Sequence, residues 1–389
     1  MQHITASAPG KCILFGEHAV VYGHPAVAVA IDQRINIKIE LTKSNSHDWT
    51  LDGLIFNPKR HPHIDALKQR LWPSSLGAPP LSIHIEGQIP TASGLGSSAA
   101  LSVAASAALR AARGRWLNGN DNSPEYWAEG FSSMLSDTDV HSNNQPNASM
   151  REGELGNKVK FISGSQSVDI DECALLAHAV EAIAQGGRAS PMDSSTCSHG
   201  NVVVLSDCVE EGIQWQYSRK LTTPEGEREW QIHTVKPPTD DVYLVIGNTG
   251  IRAPTSKQVE KVAEMLKNNP ERMKEIETIG IIAKRGIKSL LIGDYESVGR
   301  AMSENQLMLQ SIGVSSPELE DLIRAAAPSS LGAKLTGAGG GGCMVALTRD
   351  PKTTSEAIEL AGGRTIISSF GAAGLTIEEA TEKPLWETD

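Results

Sequence analysis

Two glycine-rich segments and two short clusters of ionisable residues are the parts of this chain whose residue types and spacing could do chemistry. The first segment reads Pro90-Thr91-Ala92-Ser93-Gly94-Leu95-Gly96-Ser97-Ser98-Ala99. Gly94 and Gly96 leave the backbone free to take positive φ and to approach a ligand. Ser97, Ser98 and Ala99 open an alanine-rich stretch, and alanine is the best helix former, so a helix is expected over 99–112. A helix start carries unpaired N–H groups and a partial positive charge, which together suit a phosphate. A serine hydroxyl there could also ligate the Mg²⁺ that accompanies ATP. The same residues would equally make a tight turn with a Ser N-cap, and composition alone does not separate the two readings. No G-x-x-x-x-G-K-[ST] occurs in the chain, so this is not a Walker A loop.

The second segment, Gly337-Ala338-Gly339-Gly340-Gly341-Gly342, matches G-x-G-x-x-G in its letters. A dinucleotide fingerprint follows a strand and opens a helix. Here the glycines lead into Cys343-Met-Val-Ala-Leu347, an apolar run that reads as a strand, so a Rossmann site is rejected. Five glycines in six residues cost much conformational entropy on folding. A loop closing over a ligand accounts for them better than a linker does.

The ionisable clusters are shorter. Pro9-Gly10-Lys11 is followed by Gly16-Glu17-His18-Ala19-Val20-Val21-Tyr22-Gly23, which puts Lys11, Glu17 and His18 close together between glycines. Ala189-Ser190-Pro191-Met192-Asp193 follows Glu181 on an expected helix. Asp193 reads either as a turn or cap residue or as a base beside a reacting hydroxyl, with Glu181 as a metal ligand. His178 and Glu181 have the spacing of a di-metal helix pair, but no second pair exists to complete it. His61 and His63 have no companion ligands and read as structural or solvated.

The elements that must position these residues follow from periodicity. Strands are expected at 12–15, 26–31, 35–41 and 81–86, the last two with strict alternation. A helix is expected at 172–185, a strand at 201–205 and a polar hairpin excursion at 209–236, turning at Pro224-Glu225-Gly226. A strand at 242–247 precedes helical periodicity over 255–327, and another alternating stretch lies near 364–369. Residues 119–168 are rich in Asn, Ser, Asp, Gly and Gln and lack periodicity, so they read as a flexible insertion with a short helix near Glu125–Met134. A strand-rich first half and a helix-rich second half give an α+β protein.

Bulk properties narrow the function further. A chain of 389 residues suggests two domains. Its formal net charge of -11 and lack of a basic cluster exclude an ordinary nucleic-acid binder, so phosphates must be met by local devices. The five cysteines are scattered without a C-x-x-C pair, which fits reduced thiols. No signal-peptide pattern or membrane-length apolar run occurs, so a cytoplasmic location without membrane partners is expected. The sequon at Asn147 is then read as chance.

Residues 8–23, 90–99 and 334–342, in this order and spacing, resemble the three motifs of the GHMP kinase superfamily, and the likeness runs from about residue 6 to about 350. Ala8-Pro-Gly-Lys-Cys-Ile-Leu-Phe-Gly-Glu-His-Ala-Val-Val-Tyr-Gly23 is similar to the opening of the branch that phosphorylates mevalonate, and Ala189–Asp193 resembles its archaeal form. One departure is the pair Gly186-Gly187, which adds a residue between Glu181 and Asp193.

The resemblance implies a ribosomal-S5-like N-terminal domain, 1–205, and a ferredoxin-like C-terminal domain, 206–389, with the active site between them. It implies transfer of the ATP γ-phosphate to the C5 hydroxyl of (R)-mevalonate, with Mg²⁺, in a homodimer. It implies that Lys11 and Asp193 are catalytic and that Glu17 and His18 face the mevalonate. The segment from Pro90 through Gly94, Leu95, Gly96, Ser97 and Ser98 to Ala99 would bind ATP, with Gly337, Gly339 and Gly340 supporting it and Ser98 and Glu181 on Mg²⁺. Two alternatives stay open here. One is a sister kinase acting on phosphomevalonate, with Arg188 as an added phosphate contact. The other is a catalytically inactive ligand sensor on the same fold.

Overall fold

The computed structural model describes residues 3–42, 48–72, 74, 78–90, 93–113, 158–160, 167–184, 189–223, 226–238, 240–379 and 385. Nearly all of the 119–168 stretch, with its expected helix near 125–134, lies outside these residues, as do Pro224-Glu225 and Gly186 to Arg188.

The first half of the chain runs β1 (His3–Phe15), β2 (Ala26–Leu41), β3 (Thr50–Leu51), β4 (Leu54–Ile55), α1 (Pro62–Leu71), β5 (Leu81–Gly87) and α2 (Ser97–Arg113). It continues through β6 (Lys158–Lys160), β7 (Ser167–Asp169), α3 (Ile170–Ala184), α4 (Met192–His199) and β8 (Val202–Ser206), then β9 (Gln214–Thr223) and β10 (Gly226–Val235). The second half runs β11 (Tyr243–Asn248), α5 (Thr255–Asn268), α6 (Met273–Ile292), α7 (Tyr295–Ser311), α8 (Pro317–Ala326), β12 (Gly332–Thr336), β13 (Cys343–Thr348), α9 (Pro351–Leu360), β14 (Arg364–Ser369) and β15 (Thr376–Glu379).

Among the described residues, the strands form a nine-stranded sheet, a four-stranded sheet and the small β6–β7 pair. The large sheet runs β4-β3-β5-β2-β8-β10-β9, and β1 joins β2 to β15. The two expected strands at 26–31 and 35–41 are one continuous β2, because the polar residues 32–34 between them stay extended. The hairpin read as an excursion is β9–β10, which pairs through β8 onto the large sheet. The four-stranded sheet is antiparallel in the order β12-β13-β11-β14. We propose the division of the chain with sheet membership as its guide. This moves the expected boundary at 205/206, because β9 and β10 pair through β8 onto the large sheet and β15 returns to it; the strands of that sheet make one unit, and β11 to β14 make the other.

Helix α2 lies on β1 and β2 and against α3. Its alanines, among them Ala99, Ala100, Ala104, Ala107 and Ala108, are buried, and their small side chains let the sheet approach closely. Ser102 and Ser106 sit inside this apolar packing by returning their hydroxyls to the carbonyls of Ser98 and Ser102. The long helical stretch breaks where cap chemistry dictates. Gly293 ends α6 in the left-handed conformation, Asp294 caps α7 through Ser297 N, and Ser316 caps α8 ahead of Pro317.

These elements bring four loops to one place. The β5–α2 loop and the β12–β13 loop are the two glycine segments. The turn after β1 carries Glu17 and His18, and the α3–α4 connection leads to Asp193.

Candidate active site

Lys11 stands on β1 with its side chain 2% exposed. Its backbone N–H donates to Leu95 O at 3.0 Å and its Nζ donates to Gly94 O at 2.9 Å, so one residue fastens the first glycine loop twice. The same Nζ lies 3.0 Å from Asp193 Oδ1. Burial alone would lower the Lys11 pKa, but the adjacent Asp193 charge outweighs it and the net direction is upward, so Lys11 is a fixed cation. Asp193 sits in the first turn of α4 and keeps a third of its side chain open to the cleft.

Ser98 Oγ donates to Glu181 Oε1 at 2.9 Å, which ties the start of α2 to α3. Burial, and then the charge of Asp193, push the Glu181 carboxyl up to about 8, while the Ser98 bond pulls the other way. Two carboxylates therefore crowd one edge of the cleft, an arrangement that a divalent cation would relieve. Among the described residues no group of three His, Cys, Asp or Glu could hold a metal alone. Ser98 and Glu181 fit an ion that takes its remaining ligands from phosphates and water, which is how Mg²⁺ is commonly bound beside a nucleotide.

Glu17 and His18 follow Gly16. Glu17 is fully buried, forms an ion pair with Lys334 of β12, and accepts from Asn305 Nδ2 of α7 at 3.1 Å. Burial pushes Glu17 up and Lys334 down, and each is opposed by the other's charge. His18 holds a positive φ of 62°. Its Nε2 is 3.0 Å from Ala338 O, a bond that requires the proton on Nε2. Burial lowers the His18 pKa to about 4, so the ring is a neutral donor that pins the second glycine loop.

The two glycine loops close on each other. Gly94 and Gly337 have φ of 82° and 86°, and a Cβ on Gly337 would lie 3.3 Å from Gly94 Cα. The cleft beside them has a volume of about 520 Å³. Lys11, Glu17, His18, Glu181 and Asp193 all line it, with Gly94, Gly96, Ser97, Ser98 and Gly337. Gly339 lines an adjoining recess of about 130 Å³. Four other expected nucleotide residues support the loops from behind. Pro90 O accepts from Ser93 Oγ, Leu95 and Ala99 are core residues, and Gly340 N donates to Val314 O.

Three helices begin at this cleft. Ser97 of α2, Asp193 in the first turn of α4 and Thr255 of α5 all line it. Each start carries roughly half a positive charge, which supplies the local field that an acidic chain needs to attract phosphate. Sequence reasoning missed Lys334, Asn305 and Thr255. A lone lysine inside the fully buried strand Gly332–Thr336 was a readable signal for the first. Asn305 lies in the polar run Ser303–Gln306 and carried none.

Known proteins resemble this chain in sequence and fold. Residues 63–124 match the GHMP kinases N terminal domain and residues 287–364 match the GHMP kinases C terminal family. The solved mevalonate kinase of Methanococcus jannaschii covers 97% of this chain and 99% of its own at a TM-score of 0.61 and 23% identity. The L. major mevalonate kinase, solved with R-mevalonate, covers 94% and 96% at 0.59 and 22%. The fold is that of a GHMP kinase, and the chain belongs to that family. The curated mevalonate kinase of Methanothermobacter thermautotrophicus is 31% identical over 347 residues, 88% of this chain and 89% of its own. That of Archaeoglobus fulgidus is 31% identical over 352 residues, covering 89% and 93%. Within the family, the chain falls in the mevalonate kinase branch.

Proposed function

We propose that this chain transfers the γ-phosphoryl group of ATP to the C5 hydroxyl of (R)-mevalonate, giving ADP and 5-phosphomevalonate. The observation that carries the reading is the Lys11–Asp193 pair, set between the starts of α2 and α4 and beside the facing Gly94 and Gly337. Phosphoryl transfer asks a protein for alignment and charge stabilisation rather than covalent chemistry.

Backbone N–H groups at the start of α2 meet the phosphate oxygens, and Lys11 stands beside the group in transfer. Asp193 receives the C5 hydroxyl. An alcohol ionises far above neutral pH, so Asp193 orients the hydroxyl and accepts its proton as the new P–O bond forms. Ser98 and Glu181 would hold Mg²⁺ together with the phosphates, and the ion would supply neutralisation of their charge. His18 fixes the Gly337–Ala338 loop over the site while lining the mevalonate side with Glu17. A cytoplasmic location and a homodimer belong to the same proposal, by family likeness. Among the described residues, no helix is long and apolar enough to cross a membrane.

A phosphorylated acceptor would need further cations. Among the described cleft residues Lys11 is the one Lys or Arg, Lys334 behind them is committed to Glu17, and Arg188 lies outside the described residues. The likeness to curated mevalonate kinases at 31% identity supports mevalonate over phosphomevalonate. The test is ADP release with Mg-ATP and mevalonate, 5-phosphomevalonate, homoserine or galactose at equal concentration. Turnover with mevalonate alone is expected. Turnover with another acceptor would overturn the substrate assignment, and silence on all four would favour an acceptor outside this panel or a sensor.

A further inference from the structure

The hairpin β9–β10 carries none of the sequence motifs, yet the middle of its strands packs on His178, which bonds the turn before Asp193. Arg219 of β9 and Trp230 of β10 are cross-strand partners. Both pack on His178 of α3, which is completely buried. Arg219 Nε donates to His178 Nδ1 at 2.7 Å, and Trp230 meets the imidazole edge-on with ring centroids 6.4 Å apart.

Because Nδ1 accepts from Arg219, the proton of the neutral ring must sit on Nε2. Nε2 then donates to Ala189 O at 2.9 Å. Ala189 opens the short Ala189-Ser190-Pro191 turn that delivers Asp193 to the cleft. His178 is also one helical turn before Glu181, so α3 grips the catalytic turn and Ser98 from neighbouring positions. The second strand adds a weaker brace, since Trp230 Nε1 donates to Val20 O at 3.4 Å, on the turn after His18.

We propose that His178, with its tautomer fixed by Arg219, is a positioning residue for the phosphoryl transfer. It holds the Ala189 carbonyl, and through it sets where Asp193 stands relative to Lys11 and the acceptor hydroxyl. The chain of donors is Arg219 to His178 to Ala189, and none of the three need touch substrate through its side chain. Burial and the Arg219 charge push the His178 pKa down to about 3, so the relay keeps one protonation state across the working pH range. The inference rests on Asp193 being the residue that receives the hydroxyl. Displacing such a group by about 1 Å costs on the order of 10²-fold in rate, so a modest loosening of the turn should be visible in kcat.

Two isosteres separate positioning from packing. His178→Gln keeps an amide N–H near the place of Nε2, so it can still donate to Ala189. His178→Asn keeps an acceptor near Nδ1 for Arg219 but loses the Ala189 bond. Both leave one buried group without its partner, and both should lower Tm to a similar degree. The expected result is that His178→Asn lowers kcat at least about tenfold with the KM for ATP within about twofold, while His178→Gln keeps kcat within about threefold. Equal kcat losses in the two variants, or an unchanged kcat in His178→Asn, would overturn the proposal. Should His178→Asn not yield folded protein, Arg219→Met carries the same test, because it removes the donor that holds the His178 proton on Nε2. It should lower kcat at least about fivefold with the KM for ATP little changed, and full kcat would overturn the relay. Wild-type turnover of mevalonate in the same assay keeps a failure of this proposal distinct from a failure of the function it rests on.

Discussion

Lys11 joins Asp193 at 3.0 Å while giving a second N–H to Gly94 O at 2.9 Å, so a single ammonium ties the proposed acceptor-side carboxylate to the phosphate loop. The two halves of the reaction are thus set against each other by one buried cation on the rigid strand β1. Neither the loop nor α4 can shift without loosening a contact to Lys11.

From this arrangement, Asp193→Asn should lower kcat by at least about 10²-fold, the lower range of general-base effects, with fold and ATP binding retained. Steady-state kinetics on the purified variant provide the check. A loss of only two- or threefold would remove Asp193 from the proton's path.

Ser98 meets Glu181 at the start of α2, the proposed nucleotide side of the cleft. Ser98→Ala should therefore raise the KM for Mg-ATP several-fold more than the KM for mevalonate. The reverse pattern, measured by varying each substrate at saturation of the other, would show that this loop serves the acceptor.

Glu181 also sets a pH dependence in the metal-free protein. Its carboxyl is held at about 8 against an ordinary 4.5, so between these values the folded state binds more protons than the unfolded state. Its contribution to stability is fully present below about 4.5 and is lost as pH rises through about 8. Glu181→Gln removes that slope. Melting curves from about pH 5 to about pH 9 should show the variant gaining on wild type as pH rises, and parallel curves would refute the assignment.

Glu17 and Lys334 are both fully buried, and removing one partner strands the other's charge. Lys334→Met should cost about 3–5 kcal/mol of unfolding free energy. The double variant Glu17→Gln, Lys334→Met should recover part of that loss. Denaturant titration of the full cycle measures the coupling, and strict additivity would mean the pair is not an energetic unit.

Gly23 and Gly339 share the left-handed conformation, with φ of 88° and 82°, but differ in surroundings. A Cβ on Gly23 meets nothing within 4 Å, whereas one on Gly339 would lie 2.2 Å from Val314 O. Gly23→Ala should cost about 1–2 kcal/mol from backbone strain alone. Gly339→Ala should cost clearly more and raise the KM for ATP, because the β12–β13 loop must move. Equal melting temperatures for the two variants would contradict this.

Much of the site was readable because its chemistry is local. Gly94, Gly96, Ser97 and Ser98 announce a loop opening a helix, since positive φ, a helix start and a hydroxyl all act within a few residues. The alternation of 35–41 and 81–86 pointed to β2 and β5 for the same reason, a period of two on one face of a sheet. The hairpin at 209–236 was legible as a hairpin and misjudged only in its role. Its polar residues suggested solvent, but Arg219 and Trp230 turn inward to His178.

The periodic elements, the two glycine loops and the family were legible from residue order, because those depend on short-range conformational preference and on ordered motifs. Which charges meet is settled by the folded arrangement. Lys11 with Asp193, Glu17 with Lys334, and Arg219 with His178 are each joined across distant parts of the chain. A buried charge must find its partner in space, and nothing in the periodicity of a strand or helix says which distant residue that will be.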